Sequence, residues 1–215
     1  MPPNNPYIDL VTSDPDIFHI PEQIYTHRWK WSEYFWNSNP LVLEIGTGMG
    51  NFFGKQVGEH PKKNFIGMEI RYKRLFQSAQ KARKLENNNF VMLKDFGQNI
   101  DKIFEIEEIA ETYIFFPDPW ANKDRQRKHR LLGAEFLEKL FSITQQWWNL
   151  YFKSDHREYF DSTVQIIKEQ WLWTISYWTH DYENSDIFDM KNITEFEWFY
   201  RGEKTKINYF ELVKK

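Results

Sequence analysis

Cysteine is absent from the 215 residues, which excludes disulfides, thiol nucleophiles and thiolate metal sites. No apolar run approaches the roughly 18 residues that a membrane-spanning helix needs. The opening Met1-Pro2-Pro3-Asn4-Asn5 carries neither a basic region nor an apolar stretch, so no secretory signal is expected and the cytoplasm is the default compartment. The six histidines (19, 27, 60, 129, 156 and 180) include no H-x-x-x-H pair, so no metal is expected. No Gly-Lys-Ser/Thr follows the glycines, so a Walker loop is excluded. Glycine itself is sparse, at nine residues, yet five of them fall between positions 46 and 58.

What is present belongs to a globular protein. Apolar residues make up 41% and charged residues 27% of the chain. A mean hydropathy of −0.71 coexists with an aromatic share of 19%, so the core is expected to rest on Phe, Tyr and Trp, which bury much area per residue. The net charge of −3 hides strong segregation. Residues 62–84 hold eight Lys/Arg against one Glu, and residues 121–130 hold five against one Asp. Residues 181–197 hold six acids against one Lys. Because fields are screened within about 10 Å, one face can bind a polyanion while the whole chain is acidic.

From residue 41 onward, strands and helices alternate. Strands are expected at 41–45, 64–68, 90–93, 112–116 and 148–152, with two more at 171–178 and 207–213. Helices are expected near 50–59, 71–84, 98–107, 133–143 and 156–169, where apolar residues recur at helical spacing. The pattern predicts an α/β fold: a Rossmann-like, mostly parallel sheet with an antiparallel C-terminal strand and helices on both faces. Residues 1–40 read as an aromatic-rich arm packed on a single domain spanning 41–215, and Tyr25–Trp31 is expected to pack rather than to touch a ligand. In such sheets ligands bind beyond the carboxyl ends of the strands, where strand order reverses.

Unusual chemistry gathers at those ends. Gly46, Gly48 and Gly50 lie in Glu44-Ile45-Gly46-Thr47-Gly48-Met49-Gly50, between an expected strand and an expected helix. The spacing is G-x-G-x-G, not the G-x-G-x-x-G of a dinucleotide fold. Glu44 would repel a pyrophosphate but suits the ammonium and sulfonium of S-adenosylmethionine. Glu69 ends the second strand 19 residues after Gly50, where a carboxylate accepts hydrogen bonds from ribose hydroxyls. Asp95 follows the third strand, within reach of an adenine edge. A lone acid of this kind is ordinarily a solvated loop residue, whereas three at successive strand ends point to a methyl donor.

The fourth strand runs into Phe115-Phe116-Pro117-Asp118-Pro119-Trp120. Two prolines restrict the backbone on both sides of Asp118, giving the rigidity a catalytic carboxylate needs. The stretch Lys123-Asp124-Arg125-Gln126-Arg127-Lys128-His129-Arg130 follows. Alone it would be a solvated face, but beside such a loop it reads as a phosphate clamp.

With these motifs the chain resembles the tRNA (guanine-N7-)-methyltransferase family, within the class I S-adenosylmethionine-dependent methyltransferases, from about residue 25 to the C-terminus. Phe116-Pro117-Asp118-Pro119-Trp120 with its basic tract is the most specific element. Lys153-Ser154-Asp155 and Thr194-Glu195-Phe196-Glu197 resemble the family's Thr-Asp and Thr-x-x-Glu segments. The resemblance implies a donor site of Glu44, Gly46, Gly48, Gly50, Glu69, Asp95 and Asp118, with Asp118 also catalytic. It implies substrate contacts from Asn122, Lys123, Arg125, Arg127, Lys128, Arg130, Asp155, Thr194 and Glu197. The expected product is 7-methylguanosine at guanosine 46 of the tRNA variable loop, made without metal or membrane by a monomer or homodimer. Three departures stand out. Asn122 occupies the usual lysine position, with Lys123 one place later through a one-residue insertion. Ser154 replaces Thr, and His129 interrupts an Arg pair. The competing readings are an amino-methyltransferase acting on another nucleic acid, a nicotinamide-dependent reductase, and a non-catalytic RNA-binding domain.

Overall fold

The computed structural model describes residues 5–28, 30–84, 87, 89–190 and 193–215. Met1–Asn4, Trp29 and Lys191, which enter the sequence reading, lie outside them. Two compact units divide the chain, Met1–Glu105 and Ile106–Lys215.

The first unit contains α1 (Pro6–Thr12), β1 (Phe18–His19), α2 (Pro21–Ile24), α3 (Trp31–Tyr34), β2 (Leu41–Ile45), α4 (Asn51–Glu59), β3 (Asn64–Met68), α5 (Tyr72–Arg83), β4 (Phe90–Leu93), a 3-10 turn (Gly97–Asn99) and α6 (Ile100–Ile103). Its strands are all parallel, in the order β1-β4-β3-β2, with Phe18 opposite Met92, Phe65 opposite Phe90 and Leu41 opposite Asn64. Every residue of β2, β3 and β4 is buried, as the near-continuous apolar runs of a sheet covered on both faces require. Leu75, Ser78, Ala79 and Ala82 form the buried stripe of α5 at i, i+3, i+4, i+7 spacing. The chain before residue 41 supplies the edge strand β1. It also buries Trp31, whose indole N–H donates to the Ile103 carbonyl at 3.1 Å.

The second unit contains β5 (Glu111–Phe115), a 3-10 helix (Asp124–His129), α7 (Ala134–Ile143), β6 (Asn149–Ser154), α8 (Arg157–Gln170), β7 (Trp173–Thr179), a 3-10 turn (Tyr182–Asn184), α9 (Glu195–Gly202) and β8 (Asn208–Lys214). β5 and β6 are parallel. β8 enters antiparallel between β6 and β7, so the last strand of the chain is the reversed one. The core here is aromatic, as the composition predicts. Phe152 stacks on Phe210 at 4.8 Å, and Phe160 lies 5.5 Å from the same ring.

The helix expected over 98–107 is instead a 3-10 turn followed by the four-residue α6. Phe104 breaks out at φ −115°, ψ 156° and buries its ring 6.0 Å from Trp31, so a tertiary contact overrides the local periodicity. The basic tract, given no regular structure from sequence, winds into the 3-10 helix 124–129.

Candidate functional site

The glycine turn after β2 is built by three left-handed residues, Gly46 at φ 83°, Gly48 at 56° and Gly50 at 77°. Side chains rarely adopt such angles. A Cβ at Gly46 would meet nothing within 4 Å, whereas one at Gly50 would overlap Ser78 of α5. Gly46 thus borders open space, and Gly50 lets α4 start against α5. Glu44, inside β2, is buried.

Glu69 follows β3 and is also buried, yet its carboxylate is fully oriented. Oε2 accepts from the Gly48 amide at 3.2 Å and Oε1 from the Arg71 amide at 2.9 Å. Each oxygen retains a lone pair, so the held carboxylate can still accept two hydroxyls. Asp95, after β4, is similarly pinned. Oδ1 accepts from the Phe96 amide at 2.7 Å and the Asn99 side chain at 2.8 Å, and Oδ2 accepts from the Tyr25 hydroxyl at 2.9 Å. Partial desolvation, then the bond to Asp95, raises the Tyr25 pKa above its ordinary value. Sequence reasoning missed Tyr25 because seventy residues separate it from its partner and no local pattern marks the pair. A buried, pre-aimed carboxylate beside an open glycine turn fits the ribose and adenosine parts of S-adenosylmethionine.

In the second unit, Phe116 (φ 53°) and Trp120 (φ 46°) flank Pro117-Asp118-Pro119 in left-handed conformations. Each such residue costs about 1–3 kcal/mol and persists only where surrounding contacts over-determine it. The Phe116 amide donates to the Lys153 carbonyl at 2.8 Å, and its ring lies 5.6 Å from Tyr200 and 5.9 Å from Phe196. Asp118 is exposed, and its Oδ1 accepts from the Trp120 amide at 3.0 Å.

Asp155 follows β6 and faces Tyr200. Burial, then the charge of Asp155, pushes the Tyr200 hydroxyl up to about 12. Thr194 caps α9: its hydroxyl accepts from the Glu197 amide at 3.2 Å, while Glu197 Oε2 accepts from the Thr194 amide at 2.8 Å. This reciprocal capping box is legible in the Thr-x-x-Glu spacing. Glu197 Oε1 also accepts from the Lys153 ammonium at 2.9 Å, and both side chains are 2% exposed. Burial holds Lys153 below its ordinary pKa, with Glu197 opposing.

The basic tract divides. Asn122, Lys123, Arg125, Arg127 and Lys128 are exposed, with Arg127 also 3.5 Å from Glu158. Arg130 points inward, its side chain only 7% exposed. Among the described residues, no group of three or more His, Asp or Glu could hold a metal, and no helix is long and apolar enough to cross a membrane.

A family model described as "Putative methyltransferase" matches residues 38–209. In fold the chain matches a crystal structure of a 16S rRNA (adenine(1408)-N(1))-methyltransferase mutant with cosubstrate SAM from Catenulisporales acidiphilia. The TM-score is 0.56 at 13% identity, over 86% of this chain and 90% of that one. The fold is therefore that of a Rossmann-like class I methyltransferase. A tRNA (guanine-N(7)-)-methyltransferase of Lachnoclostridium phytofermentans is 31% identical over 88% of this chain and 86% of its own length. A bifunctional glycosyltransferase/methyltransferase of Fusobacterium nucleatum is 38% identical over 86% of this chain, which spans 29% of that longer protein. The chain belongs to the tRNA (guanine-N(7)-)-methyltransferase family.

Proposed function

We propose that this chain transfers the methyl group of S-adenosylmethionine to N7 of a guanosine in tRNA, at position 46 of the variable loop. The observation that carries the donor half of this reading is Glu69, buried and held by two backbone amides with a lone pair left on each oxygen. The family supports tRNA as the acceptor. Residues 41–215 act as the methyltransferase domain and 1–40 as its arm, in a cytoplasmic monomer or homodimer.

When bound, S-adenosylmethionine supplies an electrophilic methyl group on a positively charged sulfur. Glu44 balances that charge, Glu69 takes the ribose hydroxyls, Asp95 takes the adenine edge, and Gly46, Gly48 and Gly50 give the backbone close approach. Guanine N7 already has a lone pair, so no residue needs to remove a proton to make the nucleophile. Asp118 stabilises the positive charge that arrives on the imidazole ring, and catalysis is chiefly orientation and electrostatics. Asp155 accepts from guanine N1–H and N2–H. Thr194 keeps its hydroxyl proton available to the base, and Glu197 fixes Thr194 through the cap. Asn122, Lys123, Arg125, Arg127 and Lys128, all exposed, take the tRNA backbone.

Labelled S-adenosylmethionine with bulk tRNA, followed by digestion to nucleosides, tests the reading. The expected product is 7-methylguanosine. Label on an exocyclic amino group would make the chain an amino-methyltransferase, and no incorporation despite tRNA binding would make it an RNA-binding domain.

A further inference from the structure

We infer that Arg130 is a positioning residue that locks the Asp118 loop, and not a phosphate contact. The inference rests on the reading of Asp118 as catalytic. It separates Arg130 from the exposed bases beside it in sequence.

The guanidinium spends four of its five N–H groups inside the protein. Nε donates to the Pro119 carbonyl at 2.9 Å, and Nη1 donates to Glu158 Oε1 and to Ser162 Oγ, both at 3.2 Å. Nη2 donates to Glu158 Oε2, completing a two-pronged pair with that carboxylate. The face of the group lies 4.8 Å from the centre of the Tyr159 ring. A phosphate clamp presents its fork to solvent, whereas this fork is turned into α8.

The loop needs such an anchor. Phe116 and Trp120 are both left-handed, so the segment between them relaxes unless both ends are held. The Phe116 end is held by the Lys153 carbonyl and by the Tyr200 and Phe196 rings. At the other end Pro119 has no N–H, and its carbonyl, one peptide beyond Asp118, is gripped by Arg130. Lysine cannot replace this geometry, because an ammonium lacks the planar fork that serves Pro119 and Glu158 together.

Arg130→Lys keeps the charge and Glu158→Gln leaves Arg130 in place but loosens its seat. Each is compared with wild type for single-turnover methyl transfer at saturating donor and tRNA, and for the salt dependence of tRNA binding. The expected result is a fall of at least about tenfold in turnover for Arg130→Lys and a smaller fall for Glu158→Gln, with the salt slope unchanged in both. Glu158 carries no positive charge, so its loss cannot mimic a lost phosphate contact, and a thermal melt of each variant checks that it folds. Wild-type turnover in both variants overturns the inference. A third variant, Arg130→Ala, removes the charge, and a salt slope shallower by about 0.7–0.9 with turnover at saturation retained, the mark of one lost phosphate contact, also overturns it. If wild type itself makes no 7-methylguanosine, the reading of the activity fails and takes the inference with it. Wild-type activity beside undiminished variants removes the inference alone.

Discussion

Asp118 combines rigidity with exposure. Its neighbouring prolines fix φ near about −65°, its own Oδ1 closes a turn onto the Trp120 amide, and the side chain still meets solvent. Asp118→Asn keeps this shape and removes the charge. Single-turnover transfer should fall by about 100- to 1,000-fold, or about 2.7–4 kcal/mol, the loss typical of one preorganised electrostatic group. A variant within about threefold of wild type would make Asp118 structural and shift the catalytic role to Asp155. Glu69 offers a contrasting case, since its effect belongs in binding. Glu69→Ala strands the Gly48 and Arg71 amides as well as the ribose hydroxyls, so donor affinity should weaken by about 1–3 kcal/mol, roughly 5- to 150-fold. Calorimetry with wild-type affinity would remove Glu69 from the donor site.

At the level of elements, the turn after β2 tolerates nothing larger than glycine at position 50. Gly50→Ala forces a side chain into the left-handed region and into Ser78, so it should cost at least about 1–2 kcal/mol, read as a lower urea midpoint. An unchanged midpoint would show that α5 can yield at that point. Much of this architecture was legible. β2, β3 and β4 announce themselves as short apolar runs because both their faces are buried, and the glycine spacing marks the turn because positive φ admits few other residues. The acids were legible as positions, since strand ends are fixed by the strands. Their restraints were not. Tyr25 reaches Asp95, and Lys153 meets Glu197, across separations that no local pattern encodes. Arg130 looked like its exposed neighbours because a run of bases does not say which side chain turns inward. The short α6 escaped for a related reason, its end being set by where Phe104 packs.

For the molecule as a whole, charge and protonation set the working range. His19 is 4% exposed and both its ring nitrogens are without a hydrogen-bond partner. Burial, then the nearby His27 charge, lowers its pKa to about 4. The unfolded chain binds that proton near pH 6.5 and the folded chain only near 4, so stability is retained above 6.5 and lost as pH falls through this window. The difference of about 2.5 units amounts to about 3 kcal/mol. His19→Phe keeps a ring and removes the titration, so it should flatten unfolding free energy between pH 6.5 and 4. An unaltered slope would assign the pH response to other groups. Above this range the acidic chain must still gather a polyanion through its exposed bases, so tRNA binding should weaken steeply with salt. The central claim, methyl transfer to guanine N7 in tRNA, is tested most directly by offering labelled S-adenosylmethionine and two transcripts of one tRNA, the second with adenosine in place of guanosine 46. The account predicts one methyl group per native transcript, recovered as 7-methylguanosine, and none on the substituted one. Label in any other nucleoside, or equal labelling of both transcripts, would contradict it.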